Sequence, residues 1–231
     1  MAAPILVHVP AYLRPETDTR TLVRFTLPGD KLADLDLRSK PVTDFVALLK
    51  ARGTVVDPTA VVFESTYLAR PGAMDPSVAA VADRLPPRVA RTWLAGGLAA
   101  PGARDQLYRR SYAAMLRFLG QLHAAGVPLV PGTDGFSGFY LHRELELFVA
   151  AGIPAGDVLQ AATLGAARIM KRDGRTGSIA AGKDADLVLV DGDPLARIGD
   201  VRRVVTVVKD GVVFDSAQVY GTIGVRPIPR R

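Results

Sequence analysis

Residues 127–130 form an apolar, strand-like run that leads into Pro131-Gly132-Thr133-Asp134-Gly135, and an amphipathic helix pattern follows over residues 141–151. That order puts the Asp134 carboxylate just past the carboxyl end of a strand, where parallel βα enzymes keep their chemistry. A carboxylate there can bind a divalent ion and take a proton from water. An Asp-Gly pair is also a turn signal, but a helix pattern follows, which disfavours a hairpin. His142 and Glu146 are four apart and share one helix face. Metal ligation would suit that spacing. A histidine packed near a helix start beside a solvated carboxylate is the simpler account, and His142 is kept as a substrate contact. His8 closes a short β-rich run at residues 5–9 and is either a metal ligand on the same rim as Asp134 or an ordinary packed histidine. His123 sits on the polar side of a long helix and reads as structural. Asp184, Asp186, Asp191 and Asp193 lack the loop length and terminal Glu of an EF-hand and read as turn residues. No dinucleotide fingerprint, phosphate-binding Walker loop or nucleophile elbow is present.

The 231 residues suffice for a real core, and 48% hydrophobic with 23% charged residues is ordinary globular composition. The net charge of +6 is scattered rather than gathered into a patch, which argues against nucleic-acid binding. With no cysteine, disulfides, thiolate metal sites and cysteine nucleophiles are excluded. No apolar run reaches the roughly 18–20 residues that span a bilayer, so no membrane partner is expected. The first residues lack the basic start of a signal peptide, which tilts the expected compartment toward the cytoplasm.

The elements that must position these groups follow from periodicity. Residues 14–36 read as polar and irregular, 42–51 as a helix ended by Gly53, and 54–58 as a second strand. Residues 61–67 continue into a loop whose aromatics, Phe63 and Tyr67, join Trp93 as candidate pocket residues. A short helix is expected over 76–85, a loop over 91–104, a long helix over 105–125 capped by Gly126, and another helix over 154–170. The alternation argues for parallel βα units. Beyond Asp173 the texture changes to short β runs at 177–179, 185–190, 204–208 and 212–214, and Asp210-Gly211 is a strong hairpin signal. The expected division is therefore residues 1–172 and residues 173–231.

Gly132-Thr133-Asp134, His142-Arg143-Glu144-Leu145-Glu146-Leu147, Ala150-Ala151-Gly152-Ile153, Ala161-Ala162-Thr163 with Ala166-Ala167-Arg168, and the run from Gly177 to Asp191 together resemble the carboxyl-terminal part of the amidohydrolase superfamily. The nearest branch is that of imidazolonepropionase-like and Xaa-Pro-dipeptidase-like enzymes, and Val207-Val208-Lys209-Asp210-Gly211 resembles their closing hairpin. The resemblance implies a (β/α)8 barrel, a β-sandwich built from both chain ends, and one or two divalent ions, usually zinc, that activate water against a C–N bond. It makes Asp134 the metal-binding general base after strand eight, and His142 a residue near the substrate. Counted back from Asp134, the strand at Thr54 is the seventh and that at Ile5 the sixth, so His8 matches the strand-six ligand. Its local text, His8-Val9-Pro10, is closer to the strand-five pattern. The His-x-His of strand one, the strand-four bridging residue and one further histidine have no counterpart here.

The expectation is an α/β fold: a partial (β/α)8 TIM barrel of about strands six to eight, plus part of a carboxyl-terminal β-sandwich. The expected activity is metal-dependent hydrolysis of a small amide, cyclic amide or dipeptide, with Asp134 as base, Asp134 and His8 on a divalent metal, zinc by resemblance, and His142 on the substrate. Such a chain is a fragment lacking the amino-terminal ligands, by deletion or by an internal start at Met1, and would assemble as a homo-oligomer or with a complementing chain. The alternative is a non-catalytic remnant serving as a structural or interaction module.

Overall fold

The computed structural model describes residues 21–135 and 137–229; His8 and the expected strand at 5–9 lie outside the described residues. Helix α1 (Thr21–Lys31) is followed by α2 (Lys40–Ala51), α3 (Ala60–Leu68), α4 (Pro87–Thr92) and the long α5 (Arg104–Ala124). Then come α6 (Ser137–Ala150) and α7 (Ala155–Gln160), the latter running through a π turn, Ala161–Gly165, into α8 (Ala166–Ile169). Strands β1 (Leu187–Val190), β2 (Val204–Lys209) and β3 (Val212–Asp215) precede a last helix, α9 (Ser216–Thr222).

Helix α5 is the axis of the core. Tyr108, Tyr112, Met115, Leu119 and Leu122 recur at helical spacing and are all buried, so one face meets α1, α3 and α6. It ends in a Schellman turn: Gly126, at φ 78°, lets its N–H reach His123 O at 2.8 Å while Val127 N–H reaches Leu122 O at 3.0 Å. Gly53 ends α2 in the same way, at φ 57°, with Thr54 N–H on Leu49 O at 2.9 Å. Each of these turns releases the chain into an extended segment, and the two segments pair side by side. Val56 N–H donates to Pro128 O at 2.9 Å and Val130 N–H to Val56 O at 3.0 Å, a single parallel bridge. This bridge is the only parallel β pairing among the described residues; the expected barrel is represented by one bridge and its covering helices rather than by full strands.

Three expectations are corrected. Residues 61–67 are helix α3, not loop: α3 is apolar almost all round, and a helix buried on every side shows no amphipathic stripe. Its Phe63 and Tyr67 are 1% and 0% exposed, so they are core rather than pocket residues, and Trp93 packs on Tyr140 with ring centroids 5.5 Å apart. Residues 14–36 include α1, despite Pro28 inside it. Tertiary contact rather than propensity supports it: Phe25 meets the Phe63 ring at 5.8 Å and its carbonyl accepts from Tyr67 OH at 2.8 Å. Residues 76–85 hold only turns and a short 3-10 segment, Ala82–Arg84.

The strands form one antiparallel sheet in the order β1-β2-β3, with Val188 opposite Val207 and Val208 opposite Val213. Asp210 and Gly211, both at positive φ, make the tight turn between β2 and β3. No strand forms at 177–179. The sheet's apolar side chains are open: Val188, Leu189 and Val213 are each at least 60% exposed. No described helix is long and apolar enough to cross a membrane.

At the centre of the core Phe148, on α6, is 1% exposed. Phe148→Ala should cost about 3–5 kcal/mol, read as a lowered urea midpoint; a loss under ~1 kcal/mol would show that this helix is not core.

Candidate functional site

The parallel bridge sets the site. Because Val56 and Leu129 are partners, the segments after them, Asp57-Pro58-Thr59 and Pro131 to Asp134, leave the same edge in the same direction. Asp57 is half-buried, and its carboxylate lies against the α-carbon of Gly132, so closely that a β-carbon there would stand 2.2 Å from either oxygen. Burial raises the Asp57 pKa above the usual carboxylate value; a backbone hydrogen bond at Thr59 works against this and the Asp134 charge adds to it. Asp57 Oδ1 is buried without a hydrogen-bond partner among the described residues. Asp134 is exposed and adopts φ 39°, the left-handed conformation that Asp tolerates better than most residues. The edge therefore carries two carboxylates of unlike character: one half-buried with its pKa raised by burial, one open to solvent.

Behind this edge stands a row of charges on α6. Glu144 is fully buried and accepts from the Ala60 and Val61 amides at 2.9 and 2.8 Å. Burial pushes its pKa up to about 8, against the pull of those two hydrogen bonds. Arg143 forks onto buried Glu64 of α3 at 2.8 and 2.6 Å and reaches Glu146 at 2.9 Å. Glu146 in turn accepts from Arg202 Nε at 2.6 Å, in the 3-10 turn Ile198–Arg202. Burial would raise the Glu146 pKa, but Arg202 and Arg143 outweigh it and hold it low.

His142 lies half-buried in this charged row. Burial, reinforced by the Arg202 and Arg84 charges, drives its pKa down to about 4, with Glu146 opposing, so it is a neutral imidazole near pH 7. His123 pairs with Asp157 at 3.2 Å on the outer surface. Asp186 accepts from Lys209 and the Asp210 amide, and Asp193 caps Leu195 and Ala196, which makes both turn residues as expected.

Asp57 and Glu144 were not singled out from sequence. Asp57 had the same signal as Asp134, a carboxylate at the end of a β run, masked by the Pro58 that follows. Glu144 had none, since its partners are amides 84 and 83 positions away.

A divalent ion of the expected kind is not accommodated by these groups alone. Catalytic zinc takes three protein ligands plus water; Asp57 and Asp134 are two carboxylates, and no group of three or more His, Cys, Asp or Glu suited to a metal comes together among the described residues.

The sequence profile of the Amidohydrolase family matches residues 35–214. No curated protein matches. Among solved structures, a Xaa-Pro dipeptidase with methionine bound in its active site is 22% identical, with a TM-score of 0.53 over 84% of this chain and 42% of that one. An A. niger ochratoxinase is 21% identical, with a TM-score of 0.52 over 74% of this chain and 34% of that one. The chain thus spans less than half the length of these relatives, and the likeness is one of fold.

Two outcomes are expected. Gly132→Ala should destabilise the protein by about 1–3 kcal/mol through overpacking, and Asp57→Ala should relieve most of that cost in the double variant; additive losses in chemical denaturation would mean the two residues do not touch. In the unfolded chain an imidazole protonates near 6.5, above the value of about 4 for folded His142. The unfolded state therefore binds this proton first as pH falls. The His142 contribution is complete above about 6.5 and is lost as pH drops toward 4. His142→Gln should flatten that part of the stability–pH curve, and an unchanged slope between pH 7 and 4.5 would refute it.

Proposed function

This chain belongs to the amidohydrolase family, and from that premise we propose that it contributes the strand-seven and strand-eight side of a hydrolase acting on a C–N bond of a small amide, cyclic amide or dipeptide. The observation that carries the reading is the pair of carboxylates, Asp57 and Asp134, on one edge of two parallel segments inside the matched region. Asp134 is open to solvent and takes the proton from the attacking water. As the water oxygen bonds to the carbonyl carbon and the C–N bond breaks, Asp134 returns that proton to the leaving nitrogen. His142, neutral near pH 7 because of its burial among arginines, offers a hydrogen bond to substrate rather than a charge.

The family's ordinary chemistry uses a divalent metal, zinc in this reading, to polarise the carbonyl and activate water. The described residues supply too few ligands for it. His8, which lies outside the described residues, or a second or complementing chain would have to bring the rest. The exposed apolar sheet of β1 and β3 suits such an assembly. In this proposal residues 1–172 belong to the barrel part and residues 173–231 to the β-sandwich part.

A second reading, a non-catalytic remnant used as an interaction module, is favoured by the same shortfall of ligands and the same open sheet.

A panel of N-acyl amino acids, cyclic amides and dipeptides, assayed with and without added zinc, separates the two. The hydrolase reading expects turnover that Asp134→Asn lowers by roughly 100-fold or more. Turnover absent from the parent under every condition, or equal in parent and variant, favours the remnant.

A further inference from the structure

The first turn of α3 has no local cap. Its N-cap residue, Thr59, sits at φ 44° and its side chain makes no capping hydrogen bond, so the leading amides of the helix need an acceptor from elsewhere. Glu144 provides it from α6, one oxygen to each of Ala60 and Val61. Tyr112 OH, from α5, steadies the same turn by donating to Ala60 O at 3.3 Å. Taking a carboxyl group fully out of water is an expensive way to cap a helix, when a Ser or Asp at the N-cap would serve. Nor is Glu144 needed to bind α6 to α3, since Arg143 already forks onto Glu64 at 2.8 and 2.6 Å. Glu144 instead accepts from the first amides of α3, and three residues before Ala60 stands Asp57.

The link between them is short and stiff. Pro58 has a fixed φ, and Thr59 is held in the left-handed region. On the far side the Asp57 carboxylate bears on the Gly132 α-carbon, two residues before Asp134. We propose that Glu144 is a positioning residue: by gripping the Ala60 and Val61 amides it holds the 57–59 corner against Gly132 and so sets how Asp57 stands relative to Asp134. The proposal rests on the reading of this edge as the reactive one, but its geometry does not depend on turnover.

The test compares Glu144→Gln with Arg143→Lys by amide NMR and by following the Asp57 carboxyl carbon through a pH titration. Gln keeps the size but sets an NH2 against one of the two amides. Lys loosens the same helix pair by losing the fork without touching the corner. The expected result is that Glu144→Gln shifts the amides of residues 57–61 and 132–134 and moves the Asp57 titration midpoint, while Arg143→Lys leaves both as in the parent. If Glu144→Gln leaves the 132–134 amides and the Asp57 midpoint in place, or if Arg143→Lys moves them equally, Glu144 is only helix-packing material and the proposal fails. Should Glu144→Gln not fold, Glu144→Asp, which draws the charge back by one methylene, carries the same readouts. A parent that hydrolyses nothing counts against the hydrolase reading alone and leaves these NMR outcomes to decide the role of Glu144.

Discussion

The rest of this molecule leans on one turn of α6, where Arg143, Glu144 and Glu146 turn their polar groups onto neighbouring elements. Arg143 and Glu144 grip α3 at its middle and its start, and Glu146 ties α6 to Arg202 and through it to the sheet. Buried charges lose hydration, and their mutual attraction offsets that only when the geometry is good and the remaining polar atoms are met. The bond lengths of 2.6–2.9 Å satisfy the first condition. The two Arg202 nitrogens Nη1 and Nη2, which lack hydrogen-bond partners among the described residues, fall short of the second. Such a network adds little net stability against an apolar substitute of the same shape, but loss of one member strands its partner at several kcal/mol. The network ties α6 to α3 at two points, the middle of α3 through Glu64 and its start through Ala60 and Val61.

That seating matters because the parallel pairing beneath it is so slight. Val56 and Leu129 make a single bridge with two backbone hydrogen bonds, far from the continuous ladder that would hold strands in register on its own. The register is held instead by what lies at either end. Two Schellman turns launch the segments, and the packing of Asp57 on Gly132 closes them. A half-buried carboxylate with one orphaned oxygen is a costly contact, and costs of that kind concentrate where chemistry is done.

The antiparallel sheet follows the opposite logic. Its strands pair along most of their length and close in a tight Asp210-Gly211 turn, yet Val188, Leu189, Val212 and Val213 are 56–68% exposed. Consecutive strand residues point to opposite faces, so both faces of the sheet carry exposed apolar side chains, the pattern of a layer meant to be covered on both sides.

Local signals were strong enough to determine a good part of this from sequence. The long helix α5, the glycines that stop α2 and α5, and the Asp210-Gly211 hairpin each depend on residues within a few positions of one another, and each stands in the structure as read. The run Val61 to Tyr67 did not, because a helix buried on all sides loses the amphipathic period that marks helices. Helix α1 did not, because it owes its existence to Tyr67 and α5 rather than to its own propensities. Neither the closeness of Asp57 to Gly132 nor the capping of α3 by Glu144 could be read at all. Both join groups more than 70 positions apart, and only the packed fold brings a carboxylate on one helix to the bare amides of another. Sequence singled out one carboxylate, Asp134; tertiary structure supplied its neighbour Asp57 and the buried carboxyl of Glu144, because burial and long-range contact are properties of the assembled core and not of any segment.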